Sequence, residues 1–415
     1  MSDLMNVDDA IQRILATIQR LPAQTIGVTD AYNRILADDI TAPINLPPFA
    51  NSSMDGFALR SADSQQASHD NPRSLRVVMD IPAGKAPDRA LSPGEAARIM
   101  TGAPIPDGAD CVIPVEDTDA DWQIDHDPAD TVTIFRQSDP GAYIRPIGED
   151  ITQGTHVLDA GTLLRPQEIG MLVALGFAEV SVIKQPKVAI LTTGDELVGV
   201  GEPIAPGQIR DVNSHTLAGL ITDNGGNSIQ LPIAGDTLEE VRALFQNALN
   251  AEPDMIISSA GVSVGAADLI RTVLAEFGAV DFWRINLRPG KPLAYGQIGG
   301  VPFFGLPGNP VSAMVTFDVL VRPALSQLAG RVDLVTTVPV IVEEALKSDG
   351  RRSFLRVKLS KRDDGQLTAT TTGTQSSGAL MSMVLADALM IVPEGVKYVD
   401  AGTKFQARLL RPLSE

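Results

Sequence analysis

Apolar residues at Ile11, Ile14, Leu15, Ile18 and Leu21 recur at intervals of three and four, so the segment from Asp8 to Arg20 is expected to form an amphipathic helix. A second helix is expected from Pro166 to Leu175, because Pro166 suits a first helical turn and Gly176 a C-terminal cap. Between the two, from about Asn45 to Tyr143, helical periodicity is lost. Proline, glycine and short β-like runs such as Leu75 to Ile81 and Thr131 to Phe135 replace it, which reads as a small β-rich domain inserted into a helical one.

From Lys187 the pattern alternates. Lys187 to Thr193, Asn227 to Ala234, Asp254 to Ser259 and Val301 to Gly305 read as strands. Asn213 to Asp223, a stretch capped by Thr237 and running to Asn250, Ala266 to Phe277, and Pro310 to Leu328 read as helices. Such alternation implies a mostly parallel sheet covered on both faces, whose ligands bind at the carboxyl ends of the strands. Beyond Gly330 short strands separated by turn residues return, as in RSFLRVKLSK and ADALMIVPEG, so a small β-barrel or sandwich is expected there.

Composition changes this picture in three ways. At 415 residues, 44% hydrophobic and 20% charged, the chain is an ordinary globular sequence too long for one core. No apolar run is long enough to span a bilayer, the acidic amino-terminal segment is unlike an export signal, and Cys111 stands alone. A protein without disulfides, resident in the cytoplasm and away from membranes, is the expectation. A net charge of −18 excludes nucleic acid as a partner, so any anionic ligand must be held by a local cluster of donors. His69, His126, His156 and His215 are scattered, and none has zinc-ligand spacing. A metal would then be oxygen-ligated, which points to magnesium.

Three strand-end loops share one character. Thr193, Gly194 and Asp195 follow the first strand; Ser259, Gly261, Ser263 and Gly265 follow the third; Pro307, Gly308 and Asn309 follow the fourth. Glycine lets backbone N–H groups approach a ligand, and a following helix start favours negative charge, so the set suits a phosphate-bearing anion. Taken singly, each could be a plain strand-to-helix turn. Asp195, Glu196, Asp236 and Asp268 also lie just past strand ends. Beside an anion they require an intervening cation, although Asp236 could serve as a helix cap. Arg288 and Lys291 flank a rigid Pro-Gly turn, and Arg351, Arg352 and Arg356 form a second cationic group that could equally be a solvated face.

Together these segments resemble the molybdopterin molybdenumtransferase family (MoeA of bacteria, and the E domain of gephyrin and its plant counterpart). The blocks that carry the resemblance are NSSMDGFA at Asn51, MTGAP at Met100, RPIGED at Arg145, TTGDEL at Thr192, SSAGVSVG at Ser258, LRPGKP at Leu287, GLPGNPVSA at Gly305 and TTTGTQSSG at Thr370. The family often has a second glycine where Ala260 stands and a lysine where Arg288 stands.

The resemblance implies a multi-domain α/β plus β fold. Its parts would be a helical/extended linking domain (1–44 and 144–180), an inserted β-rich domain (45–143), a three-layer α/β/α domain with a mostly parallel sheet (181–330) and a C-terminal β-barrel (331–415). It implies a homodimer that inserts molybdate into adenylylated molybdopterin and releases AMP with magnesium. The molybdopterin adenylyltransferase and apo-molybdoenzymes would be the exchange partners. Asp55, Thr101, Asp150, Glu196, Asp236 and Asp268 would carry catalysis, the first three reaching the partner subunit's α/β site. Glu196, Asp236 and Asp268 would hold magnesium, and the strand-end loops the adenylylated molybdopterin. Arg288, Lys291, Ser312, Arg356 and Ser377 would hold molybdate. The alternative readings are an adenylyltransferase or nucleotide pyrophosphatase built on the same α/β module, and a scaffold.

Overall fold

The structure, a computed structural model, describes residues 4–121, 129–259 and 267–413, with the backbone alone for 267–270. The chain forms two units: Ile26–Tyr32 with Asp38–Val180, and Met1–Thr25 with Asn33–Ala37 and Ser181–Glu415. Helix α1 (Val7–Leu15) begins the second, larger unit, and the Asn6 side chain caps it by accepting the Asp8 amide at 2.8 Å. The helix ends at Leu15, short of the expected Arg20, yet Ile18 is buried with Val7, Ala10 and Ile14 in the α/β core. Segment 1–44 is therefore divided. Its helix packs with the α/β domain, while Ile40–Thr41 pairs with His156–Leu158 in the smaller unit.

The smaller unit is organised by strands β1 (Gly56–Leu59), β2 (Arg73–Ile81), β3 (Glu95–Ile99), β4 (Cys111–Pro114) and β5 (Thr131–Ile134), in the order β4-β1-β3-β2-β5. Only β2 and β3 run parallel. Leu59, Ile113 and Ile134 fill one face, and Ile81, Ile99 and Val112 the other. Burial on both sides explains why β1, β3 and β4 show no period-2 alternation and escape a reading by pattern. Helix α2 (Pro166–Ala174) starts on Pro166 and is followed by Gly176 at φ +87°, as its sequence suggests.

In the larger unit the α/β domain runs β6 (Lys187–Thr192), α3 (Asn213–Asp223), β7 (Asn227–Gln230), α4 (Leu238–Asn250), β8 (Met255–Ser259), α5 (Ala267–Phe277), β9 (Gly278–Arg284), β10 (Pro292–Ile298), β11 (Val301–Leu306), α6 (Pro310–Thr316) and α7 (Arg322–Leu328). The sheet order is β7-β6-β8-β11-β10-β9, parallel through β11 and antiparallel for the last two strands. Successive residues of β6 enter opposite layers. Val188 and Ile190 face the cluster containing α1, α3 and α6, and Ala189 and Leu191 the one containing α4 and α5. The expected single helix from Pro310 to Leu328 is interrupted by a π-helical turn, Phe317–Val321. Pro323 offers no N–H to an α-helical ladder there, which accounts for the break.

The last domain is a closed five-stranded barrel of β12 (Thr337–Val342), β13 (Arg352–Lys361), β14 (Leu367–Thr371), β15 (Ala388–Val392) and β16 (Lys404–Leu409), filled by Val340, Leu355, Val357, Ala369 and Met390. A short strand, Leu287–Arg288, adds parallel to the start of β13 and ties the β9–β10 loop to the barrel. Among the described residues no helix is long and apolar enough to cross a membrane.

Candidate functional site

The carboxyl end of the parallel strands gathers acids on one side and cations on the other. After β6, Thr192 and Thr193 are buried, and the Gly194 amide donates to Ala234 O at 3.1 Å. Gly194 sits at φ +148°, and a Cβ there would lie 2.6 Å from the Glu196 carboxylate, so only glycine lets that acid fold back over the loop. Asp195 Oδ1 accepts the Asp236 amide at 3.0 Å, which docks the loop after β6 on the one before α4. Thr237, not Asp236, caps α4: its hydroxyl accepts the Glu240 amide at 3.3 Å and donates to the Glu240 carboxylate at 2.6 Å. The Asp236 carboxyl is pushed above the ordinary aspartate range, first by lost hydration and then by the charges of Asp195, Glu196 and Glu240, against an opposing backbone hydrogen bond at Asp195.

Between these acids and the start of α6 lies a cavity of about 350 Å³. Glu196, Ser259, Gly308 and Asn309 line it, together with three residues that sequence reasoning missed: Arg210, Asp211 and Asn213. Their only signal is local. Asp211 precedes a helix by the spacing of a cap, and its Oδ1 accepts the Ser214 amide at 3.0 Å. Asn213 donates from Nδ2 to Gly308 O at 2.8 Å and so ties α3 to the loop before α6. Gly261, Ser263 and Gly265 lie outside the described residues, as does the side chain of Asp268.

The cationic side is built by three segments. The loop of the β9–β10 hairpin carries Arg288 and Lys291, α6 carries the buried Ser312, and the barrel supplies Arg356 on β13. The 373–378 turn is held against α6 by a hydrogen bond from the Val311 amide to Ser377 O at 3.1 Å. Arg356 is 1% exposed. It donates from Nε to Ser382 Oγ at 3.1 Å and from Nη2 to Ser376 O at 3.0 Å. Among the described residues no carboxylate pairs with it. Burial, and then the positive charge of Arg288, lowers its pKa to about 10. The neighbouring arginines are spent elsewhere: Arg351 grips Asp349, and Arg352 makes a two-point pair with Asp8 at 2.7 and 2.8 Å. Among the described residues Arg288 has Asp349 as its one carboxylate partner, at 4.0 Å.

In the smaller unit Asp55 and Thr101 are both exposed, and the Thr101 amide donates to Asp55 Oδ1 at 2.7 Å. Asp150 stands on a different turn, where its amide donates to Leu46 O at 3.0 Å.

Asp195, Glu196 and Asp236 are hard oxygen donors of the type magnesium takes, and their charges act on one another. The described residues do not bring Glu196 and Asp236 together with a third acid at ligand distance; the one trio so placed is Asp39, His156 and Asp159, exposed in the smaller unit.

Comparison with known proteins agrees over the whole chain. Residues 5–176 match a model of the MoeA N-terminal region (domains I and II), 189–327 a probable molybdopterin binding domain, and 339–410 the MoeA C-terminal region (domain IV). The chain is 37% identical over 404 residues to molybdopterin molybdenumtransferase 2 of Mycobacterium tuberculosis, covering 95% of this chain and 97% of that one. It is 37% identical over 404 residues to the molybdopterin molybdenumtransferase of Haemophilus influenzae, covering 96% and 97%. A crystal structure of the molybdopterin biosynthesis MoeA protein from Pyrococcus horikoshii OT3 superposes with a TM-score of 0.75 at 29% identity, over 98% of this chain and 100% of that one. Its fold, its order of domains and its sequence place the chain in the molybdopterin molybdenumtransferase family.

Proposed function

We propose that the chain inserts molybdate into adenylylated molybdopterin and releases AMP, with magnesium held by Glu196 and Asp236 together with Asp268. The observation that carries this reading is Arg356: a buried guanidinium with no carboxylate partner among the described residues, beside Arg288. A cation left in that state destabilises the fold unless something anionic arrives, and a tetrahedral dianion can take charge-assisted hydrogen bonds from both guanidiniums. Lys291, Ser312 and Ser377 would complete the shell of donors. In the acidic loops bound magnesium would polarise the phosphoanhydride that is broken. The chain's own part is positional: Gly194 leaves room for the Glu196 carboxylate over the loop, and Asp195 holds the two acidic loops in register.

The test follows AMP release from adenylylated molybdopterin as molybdate is added. Arg356→Met should raise the molybdate needed for half-maximal release by about 100-fold, while the melting temperature without oxyanion stays level or rises. Glu196→Ala should bind the substrate yet release little AMP. An unchanged molybdate dependence in Arg356→Met would falsify the assignment.

A further inference from the structure

We propose that the 350 Å³ cavity reads the amino-pyrimidine edge of the pterin, with Asp211 and Asn213 as the acceptors that select it; this rests on adenylylated molybdopterin being the substrate. Asn213 is 8% exposed, and its Nδ2 is committed to Gly308 O, which fixes the orientation of the amide. Its Oδ1 is then a buried acceptor without a protein partner among the described residues. Asp211, 7% exposed, uses Oδ1 for the Ser214 amide and keeps Oδ2 as a second acceptor two residues away. Leu197, Ile204 and Ile209 supply apolar walls to the same cavity, and the last two are 47% and 56% exposed, uncovered as the faces of a flat ring's site would be. A buried acceptor left unpaired is unfavourable, so an N–H from a ligand is favoured there.

The pterin edge presents two adjacent donors, a ring amide N–H and the 2-amino group, which match two acceptors. Adenine presents one amine beside a bare ring nitrogen, and the second acceptor would repel that nitrogen. The donor pattern therefore selects the pterin over the nucleotide base.

Calorimetric affinities for adenylylated molybdopterin, molybdopterin and AMP test this. Asn213→Ala should weaken the two pterin compounds by about tenfold or more and leave AMP within about twofold. Asn213→Asp, which keeps an acceptor but sets a carboxylate oxygen against Gly308 O and so loses the fixed orientation, should also weaken the two pterin compounds more than AMP. Tungstate, titrated as a probe of the Arg356 pocket, should bind both variants as it binds the wild type. Weakening of AMP alone, equal weakening of all three ligands, altered tungstate binding, or no change would each overturn the inference. If the wild type binds adenylylated molybdopterin but releases no AMP with molybdate, the proposed function fails and the cavity is still decided by the same affinities. Binding of neither pterin compound by the wild type overturns both.

Discussion

Asp236 is held above the ordinary carboxylate range by lost hydration and by the charges of Asp195, Glu196 and Glu240. The sign of the consequence is fixed. A carboxyl whose folded pKa is raised binds its proton more tightly in the folded state, so it favours folding below the ordinary aspartate range and loses that contribution as pH rises through the raised value. Because the group is exposed, the effect is small, below about 1 kcal/mol. Asp236→Asn should raise the melting temperature at neutral pH by something on the order of 1 °C and make no difference near pH ~3. It should also blunt the stabilisation that magnesium gives the wild type. An undiminished magnesium response in the variant would remove Asp236 from the cation site. At this scale residue type and spacing do not separate Arg351, Arg352 and Arg356, and only the family resemblance singles out Arg356. What separates them is a pairing between Arg352 and Asp8, 344 positions away, and the burial of Arg356 among serines.

At the scale of elements, the β9–β10 hairpin matters most for the site and was the least legible. The turn from Arg288 to Pro292 stood out for its charges, but the strands that present it did not. β9 is an edge strand whose burial does not alternate, and β10 contains Gly296, where a Cβ would meet Ala279 O at 2.1 Å. The central parallel strands β6, β8 and β11 were legible because each is a largely apolar run bounded by turn residues. The hairpin's turn is seated on α6 by Gly290, at φ +111°, where an added Cβ would fall 2.2 Å from the Oγ1 of buried Thr316. Gly290→Ala should cost about 1–3 kcal/mol of stability and shift Arg288 away from Arg356. The expected readout is a lower melting temperature together with a weaker tungstate affinity. A destabilised variant with normal tungstate affinity would mean that the turn does not set the pocket.

For the whole molecule, the domain order was legible from the switch between periodicities, whereas the placement of α1 was not. A two-residue strand at Ile40–Thr41 and a nine-residue helix sit in one contiguous stretch yet serve different units. The expectation of a homodimer, in which Asp55 and Thr101 serve the α/β site of the other subunit, leads to a complementation test. At molybdate concentrations that just saturate the wild type, neither Asp55→Ala nor Arg356→Met should be appreciably active alone. Subunits exchanged in equal amounts would form dimers of which half carry one intact site, restoring roughly a quarter of wild-type activity. No recovery on exchange, with mixed dimers demonstrated, would place both residues in the site of a single chain.

The packing of α1 also has a consequence for synthesis. Val7, Ala10 and Ile14 are covered by residues as late as Leu325 and Leu328, and Asp8 pairs with Arg352. At about 5–20 residues per second, roughly 15–60 s separate the emergence of this helix from that of its partners. Over that interval the apolar stripe of α1 waits uncovered. This helix is made about 310 residues ahead of α7 and is buried only when α7 packs against it, so the α/β core closes late.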